Sequence, residues 1–473
     1  MMRAALLVAL ASLAACTLEP RYERPAPPVR SEFAEPGTRA SSPAAAQGEP
    51  RAAADIGWRE VFPQPELQDL IERALANNRD LRVAALNVDE ARARYRIRRA
   101  DQFPAVDAQA TGSSQRIPAV LSQTGESYVA RQYQVGAGIT AFEADVFGRV
   151  RSLKNAALES YLALDETRTA VQIALVAEVA RAWLALVADE DLLRLTQETL
   201  DNQRSSLAIV QMRVDAGVAR EIDLHQAEIA VRSAEVNSAR YQRQIEQDRN
   251  ALELLVGEPL PEDLRPAGRD LGAEVFAGDL PPGLPADLLE RRPDIRAAEH
   301  DLRAANADIG AARAAFFPSI TLTGAAGRAH TDLDQLFDEG QRVWSFMPRI
   351  NVPIFAGGAN RANLDAAQVR KRIEVAQYER TIQNAFREVA DALAAQSTLD
   401  AELTAQTALA QSAESAYRLA DLRYRGGIDN FLTTLIAQRD TYAAQLGLVS
   451  ARLARAANLV QLYEALGGGW KPE

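Results

Sequence analysis

Cysteine is nearly absent: Cys16 is the only one in 473 residues, so no disulfide can form within the chain. Histidine occurs three times, at His225, His300 and His330, with no HExxH spacing, and no phosphate-binding glycine loop accompanies it. Metal chemistry, cofactor binding and nucleophilic catalysis are therefore unsupported, and the chain reads as a non-enzyme. The net charge of −11, from 53 basic and 64 acidic residues without a basic stripe, argues against a nucleic-acid partner. Beyond the leader there is no clean apolar run of membrane-spanning length. The best window, residues 170–188, is interrupted by Gln172, Glu178 and Arg181. A membrane crossing would have to be made by strands.

Glycine and proline are missing altogether from two stretches, Arg149–Ala216 and Ala359–Arg425, of 68 and 67 residues. At about 1.5 Å per residue each predicts a helix roughly 100 Å long, wider than any ordinary globular core. Gly217 closes the first, and Gly426 and Gly427 the second; further helical runs, 218–256 and 428–466, then complete two giant hairpins. A reversal between antiparallel helices favours glycine, which adopts positive φ freely. Leu186, Leu193, Leu200, Leu207 and Val214 recur every seven residues, as do Leu403, Ala410, Tyr417 and Tyr424, a spacing that supercoils a helix against a neighbour.

The chain repeats itself. Asp80 and Asp294 differ by 214 positions, as do Pro104 and Pro318, while Gly217 and Gly427 differ by 210. Each half reads as helix, two strands, long helix, glycine turn, helix. After each Phe-Pro the hydrophobic period changes to two: Val106, Ala108 and Ala110 alternate with polar residues, as do Ile320 and Leu322. Val135, Ala137, Ile139 and Ala141 form one return strand, and Phe346, Ile350, Val352 and Ile354 the other, with Tyr128, Tyr133, Phe142 and Trp344 placed as an interfacial girdle would be. Four strands cannot close a barrel, and an open edge is not tolerated in lipid, so two or three copies would have to close it together.

At the N-terminus, Arg3, an apolar stretch at residues 4–15 and Leu13-Ala14-Ala15-Cys16 resemble a bacterial lipoprotein leader. The resemblance implies cleavage before Cys16 and acylation of that cysteine, with Thr17 favouring the outer membrane; several acyl chains anchor stably where one does not. The boundaries follow: a signal peptide at 1–15, a lipidated tether at 16–57, a first repeat at 58–256, an equatorial linker at 257–287 and a second repeat at 288–473.

The block Asp287-Leu288-Leu289-Glu290-Arg291-Arg292-Pro293-Asp294-Ile295 and the closing Leu462-Tyr463-Glu464-Ala465-Leu466-Gly467-Gly468-Gly469-Trp470 carry a closer likeness. With the two halves and the lipobox, the chain resembles the TolC/OprM-like outer-membrane efflux lipoproteins of the NodT group. The resemblance implies a mainly α protein with transmembrane β-strands, a homotrimer whose twelve-strand barrel continues into an α-helical barrel. It implies an exit duct of a tripartite efflux pump, working with a periplasmic adaptor and an inner-membrane transporter of the RND type, in contact with outer-membrane lipid and without a cofactor. Read from the residues alone, Pro293 and Asp294 start a helix, Pro by its fixed φ and Asp by complementing the helix dipole.

By the same resemblance the hairpin tips constrict the tunnel entrance, where Asp223 and Tyr424 match positions that link neighbouring helices. Arg425 is the nearest cation, and Asp429 would place a ring of carboxylates at the mouth, favouring cations. Asp223 and Asp429 also read as plain helix-start residues. The resemblance also marks departures: some relatives carry arginine at the position of Asp429, and others carry aspartate before the Ala-Gln of the tip helix, where this chain has Ile436 before Ala437-Gln438. A type I protein-secretion duct and a non-conducting coiled-coil lipoprotein are the alternatives.

Overall fold

A computed structural model describes residues 17–30, 56–123, 125–261, 264, 271 and 291–468. The leader, Cys16, most of the tether and linker, residues 287–290, Gly469 and Trp470 lie outside them. The elements are α1 (Trp58–Val61), α2 (Pro65–Asn77), α3 (Arg79–Ala100), β1 (Val106–Ile117), β2 (Tyr128–Ala144), α4 (Arg149–Asp215), α5 (Glu221–Val256), α6 (Pro293–Ala314), β3 (Ser319–His330), β4 (Arg342–Asn351), α7 (Ala359–Arg425) and α8 (Phe431–Ala465). The expected order recurs in both halves. The two glycine- and proline-free stretches are single helices of 67 residues each, in keeping with the 1 kcal/mol or more that either residue costs inside a helix. By compactness the chain forms two units, and each takes segments from both halves.

The first unit (residues 1–26, 87–165 and 297–379) holds one antiparallel sheet in the order β1-β2-β3-β4, leaving β1 and β4 as its edges. Directly opposed residues share a face, so the register sorts the side chains. Val106, Ala108 and Ala110 oppose Ile139, Ala137 and Val135; on that same face lie Gly324 and Ala326, opposed to Phe346 and Trp344. The other face carries Asp107, Gln109, Thr111, Gln134, Ala325 and Ser345, which line a concavity of about 330 Å³. Gly136 and Gly327 are opposed there, so close that a Cβ on Gly327 would collide with the Val135 carbonyl and Gly136 Cα.

The alternation fails at one predicted position. A register shift between Ile139 and Phe142 puts Ala141 at φ 52, with its N–H donating to Thr323 Oγ1 at 3.2 Å, and Phe142, opposite Leu322, takes the apolar place meant for Ala141. Val352 and Ile354 also fall outside the sheet: β4 ends at Asn351, two residues before Pro353.

The beginning of the tether is not loose either. Arg24 pairs with Glu299 at 2.7 Å, Tyr22 Oη donates to the same carboxylate at 3.1 Å, and Asn306 and Arg313 of α6 donate to the carbonyls of Pro20 and Leu18. Glu299 is buried, which opposes ionisation, but Arg24 and Arg303 outweigh this and hold its carboxyl below the usual range.

In the second unit (residues 27–86, 166–296 and 380–473) α4 supplies Ile173, Val176, Val179, Trp183 and Leu184 to the core. By length and composition α4 could cross a membrane, but these side chains are buried in protein. Trp183 Nε1 donates to Gln64, and Phe62 meets Tyr463 edge-on. The two signature blocks form one joint. Pro293 opens α6, and buried Arg292 binds Asp294 at 2.7 Å, Glu388 at 2.9 Å and the Ala465 carbonyl at 2.9 Å. Each seam residue is buried or half-buried, as sevenfold spacing predicts.

Candidate functional site: the hairpin tips

Both tips close in the same way. Gly217 and Gly427 have φ of 72° and 73°; the next residues, Val218 and Ile428, donate back to the carbonyls of Arg213 and Arg423 at 2.9 Å. Gly426 is not in the positive-φ region. Its N–H donates to Leu422 at 3.0 Å and extends the helix, so the reversal needs one glycine per tip. The second helices start differently: Asn430 caps Thr433 N at 3.1 Å, whereas Asp223 accepts from the backbone N–H of Arg220 at 3.3 Å.

Within the chain Asp223 and Arg425 each pair with another residue. Asp223 is bound by the Arg220 guanidinium at 3.0 Å within its own tip, and Arg425 binds Asp421 one turn back at 2.8 Å. Asp429 accepts from Arg423 at 2.6 and 3.0 Å; these hydrogen bonds hold its carboxyl below the usual range and offset its charge locally. The physical reason is reach: a helix turn or tight loop brings an arginine to each carboxylate without crossing between hairpins.

The residues that do tie the hairpins together are apolar. Val210 of α4, Ala227 of α5 and Phe431 of α8 form one buried cluster, with Leu207, Val214, Leu224, Tyr424 and Leu435 packed around it. Tyr424 contacts Phe431 at 5.6 Å between centroids, and the Arg213 guanidinium lies 4.8 Å from the Tyr424 ring. Within the chain Tyr424 therefore touches α8 through Phe431 and α4 through Arg213. Sequence reasoning singled out neither residue, although extending the heptad seam by three positions from Leu207 reaches Val210 and its partners. Ile436 stands in a groove of about 330 Å³ with Gln203, Ile229, Leu432 and Tyr442.

Among the described residues no three His, Cys, Asp or Glu side chains are grouped to hold a metal. The profile of outer membrane efflux proteins matches residues 70–258 and 284–468. The chain belongs to the outer membrane efflux protein family. Similar members include the toluene efflux pump outer membrane protein TtgC of Pseudomonas putida, 50% identical over 459 residues that cover 97% of this chain and 93% of that protein. Outer membrane protein OprJ of Pseudomonas aeruginosa is 47% identical over 466 residues, covering 98% and 95%. Among solved structures, the open state of the Neisseria gonorrhoeae MtrE outer membrane channel matches with a TM-score of 0.87 and 41% identity, over 96% of this chain and 99% of that one.

Proposed function

We propose that three copies of the chain form the outer-membrane exit duct of a tripartite efflux pump, anchored through acylated Cys16 and joined in the periplasm to an adaptor and an inner-membrane transporter of the RND type. The sheet carries the reading. It has one apolar and one polar face and two unpaired edges, a combination stable in lipid only when further strands close it. The edges also match in charge. Asp107 on β1 and Arg349 on β4 lie on the polar face at the helix-proximal ends of their strands, and among the described residues neither has an ion-pair partner. Antiparallel pairing of β4 with the next copy's β1 would bring Arg349 beside Asp107 of the partner subunit and neutralise both.

Apart from Asp107, Glu143 and Arg349, the polar face offers mostly Gln, Thr, Ser, Gly and Ala, so it would wet a bore without gripping a solute. Small-molecule efflux is favoured over protein secretion because similar proteins are named for toluene and antibiotic efflux. At the entrance, Asp223, Tyr424, Arg425 and Asp429 would form the narrow ring, with Tyr424 as its tie to the other hairpin.

The purified acylated protein should run as a heat-labile trimer in detergent and conduct ions in planar bilayers. Arg349→Asp should weaken the trimer, and adding Asp107→Arg should restore it. A stable, non-conducting monomer would overturn the proposal.

A further inference from the structure

The apolar face of the sheet carries a pattern that closure does not use. Toward its hairpin loop every strand places an arginine on this face: Arg116 on β1, Arg131 on β2, Arg328 on β3 and Arg342 on β4. The register fixes the side. Arg131 opposes Ser114, two residues from Arg116; Arg328 opposes both Val135 and Arg342. Arg131 is two residues from Tyr133, and Arg342 two from Trp344, so the order along these strands is apolar band, aromatic, arginine. That is the sequence of layers from hydrocarbon to headgroup.

Two arginines directly opposed on one face repel unless an anion lies between them. Arg328 donates to the carbonyls of Phe337 and Asp338, which orients its guanidinium without neutralising it. The loops hold Glu126, Asp332, Asp334, Asp338 and Glu339, yet among the described residues none of the four guanidiniums meets a carboxylate within 4.0 Å.

We propose that these arginines form a binding site for the phosphate groups of phosphorylated glycolipids in the outer leaflet, one cluster per subunit. Guanidinium forks match phosphate oxygens bidentately, and clustered cations beside a membrane-facing surface select anionic headgroups. A free phosphate shares that chemistry, but Tyr133, Trp344 and Phe346 continue the site into an apolar face that only an acyl-bearing ligand covers. The inference rests on the reading of the sheet as a membrane barrel.

The test is native mass spectrometry of the purified, delipidated protein titrated with bisphosphorylated lipid A, its dephosphorylated counterpart, and inorganic phosphate. Bisphosphorylated lipid A should bind roughly tenfold or more tightly than the dephosphorylated form, in line with at least one charge-assisted phosphate contact. The variant Arg116→Gln, Arg131→Gln, Arg328→Gln, Arg342→Gln should lose that preference. Because Arg328 also holds the loop, Arg116→Gln with Arg131→Gln is measured alongside and should lose part of it. Equal binding of the two glycolipids, an unchanged preference in the fourfold variant, or full competition by inorganic phosphate alone would overturn the proposal. Conductance of the same preparation would show whether the duct reading stands independently.

Discussion

Phe431→Ala isolates the tie between the two hairpins. The Phe431 ring is 6% exposed and lies among Val210, Ala227 and Tyr424, which belong to three other helices. Truncating a buried phenylalanine costs about 3–5 kcal/mol through lost transfer energy and the cavity left behind. Tyr424 would also lose the ring it packs on, and Arg213 a fixed partner. At about 1.4 kcal/mol per factor of ten, even 3 kcal/mol raises local opening of the tips roughly a hundredfold. The assay is native-state hydrogen exchange of amides in 207–228 and 420–438, with single-channel conductance on the same preparation. Exchange should accelerate in those segments and not in the sheet, and conductance should rise. By contrast, Asp223→Ala with Arg425→Ala breaks bonds confined to single hairpins and should raise conductance less. If Phe431→Ala left tip exchange unchanged, or the Asp223/Arg425 variant opened the channel more, the assignment of the tie to the apolar cluster would be refuted.

Arg292→Ala should lower stability by about 1–3 kcal/mol, because it leaves the buried Ala465 carbonyl without its donor and removes the partner of the part-exposed Asp294 and Glu388; thermal melting checks it, and an unchanged midpoint would refute the joint. Gly327→Ala should block correct sheet formation, seen as loss of the heat-labile oligomer, since its Cβ would meet backbone that cannot yield. Asp189 is pushed up to about 7 by burial and by neighbouring Asp248, against the smaller opposing influence of Arg240. Its folded value exceeds its unfolded one, so it favours folding while protonated, and stability should fall as pH rises from about 4 to 7. Asp189→Asn should flatten that part of the melting profile.

Much of this molecule was legible in its sequence because the signals are local and long. Exclusion of glycine and proline over 67-residue spans leaves helix as the only continuous solution, a change of period from 3.6 to 2 marks the strands, and a left-handed glycine marks each tip. The Arg-Arg-Pro-Asp block likewise declares a helix start whatever surrounds it. These features depend on backbone sterics and on patterns within a few residues, so they need no knowledge of the rest of the chain. Partner choice was decided only in three dimensions. Asp223, Arg425 and Asp429 bind Arg220, Asp421 and Arg423, each in its own hairpin, a choice that turn and loop geometry makes. The shift at Ala141 depends on how β2 meets β3, and the docking of Tyr22 and Arg24 depends on Glu299, more than 270 residues away in the chain. Sequence period says that a face exists; only packing says what lies against it.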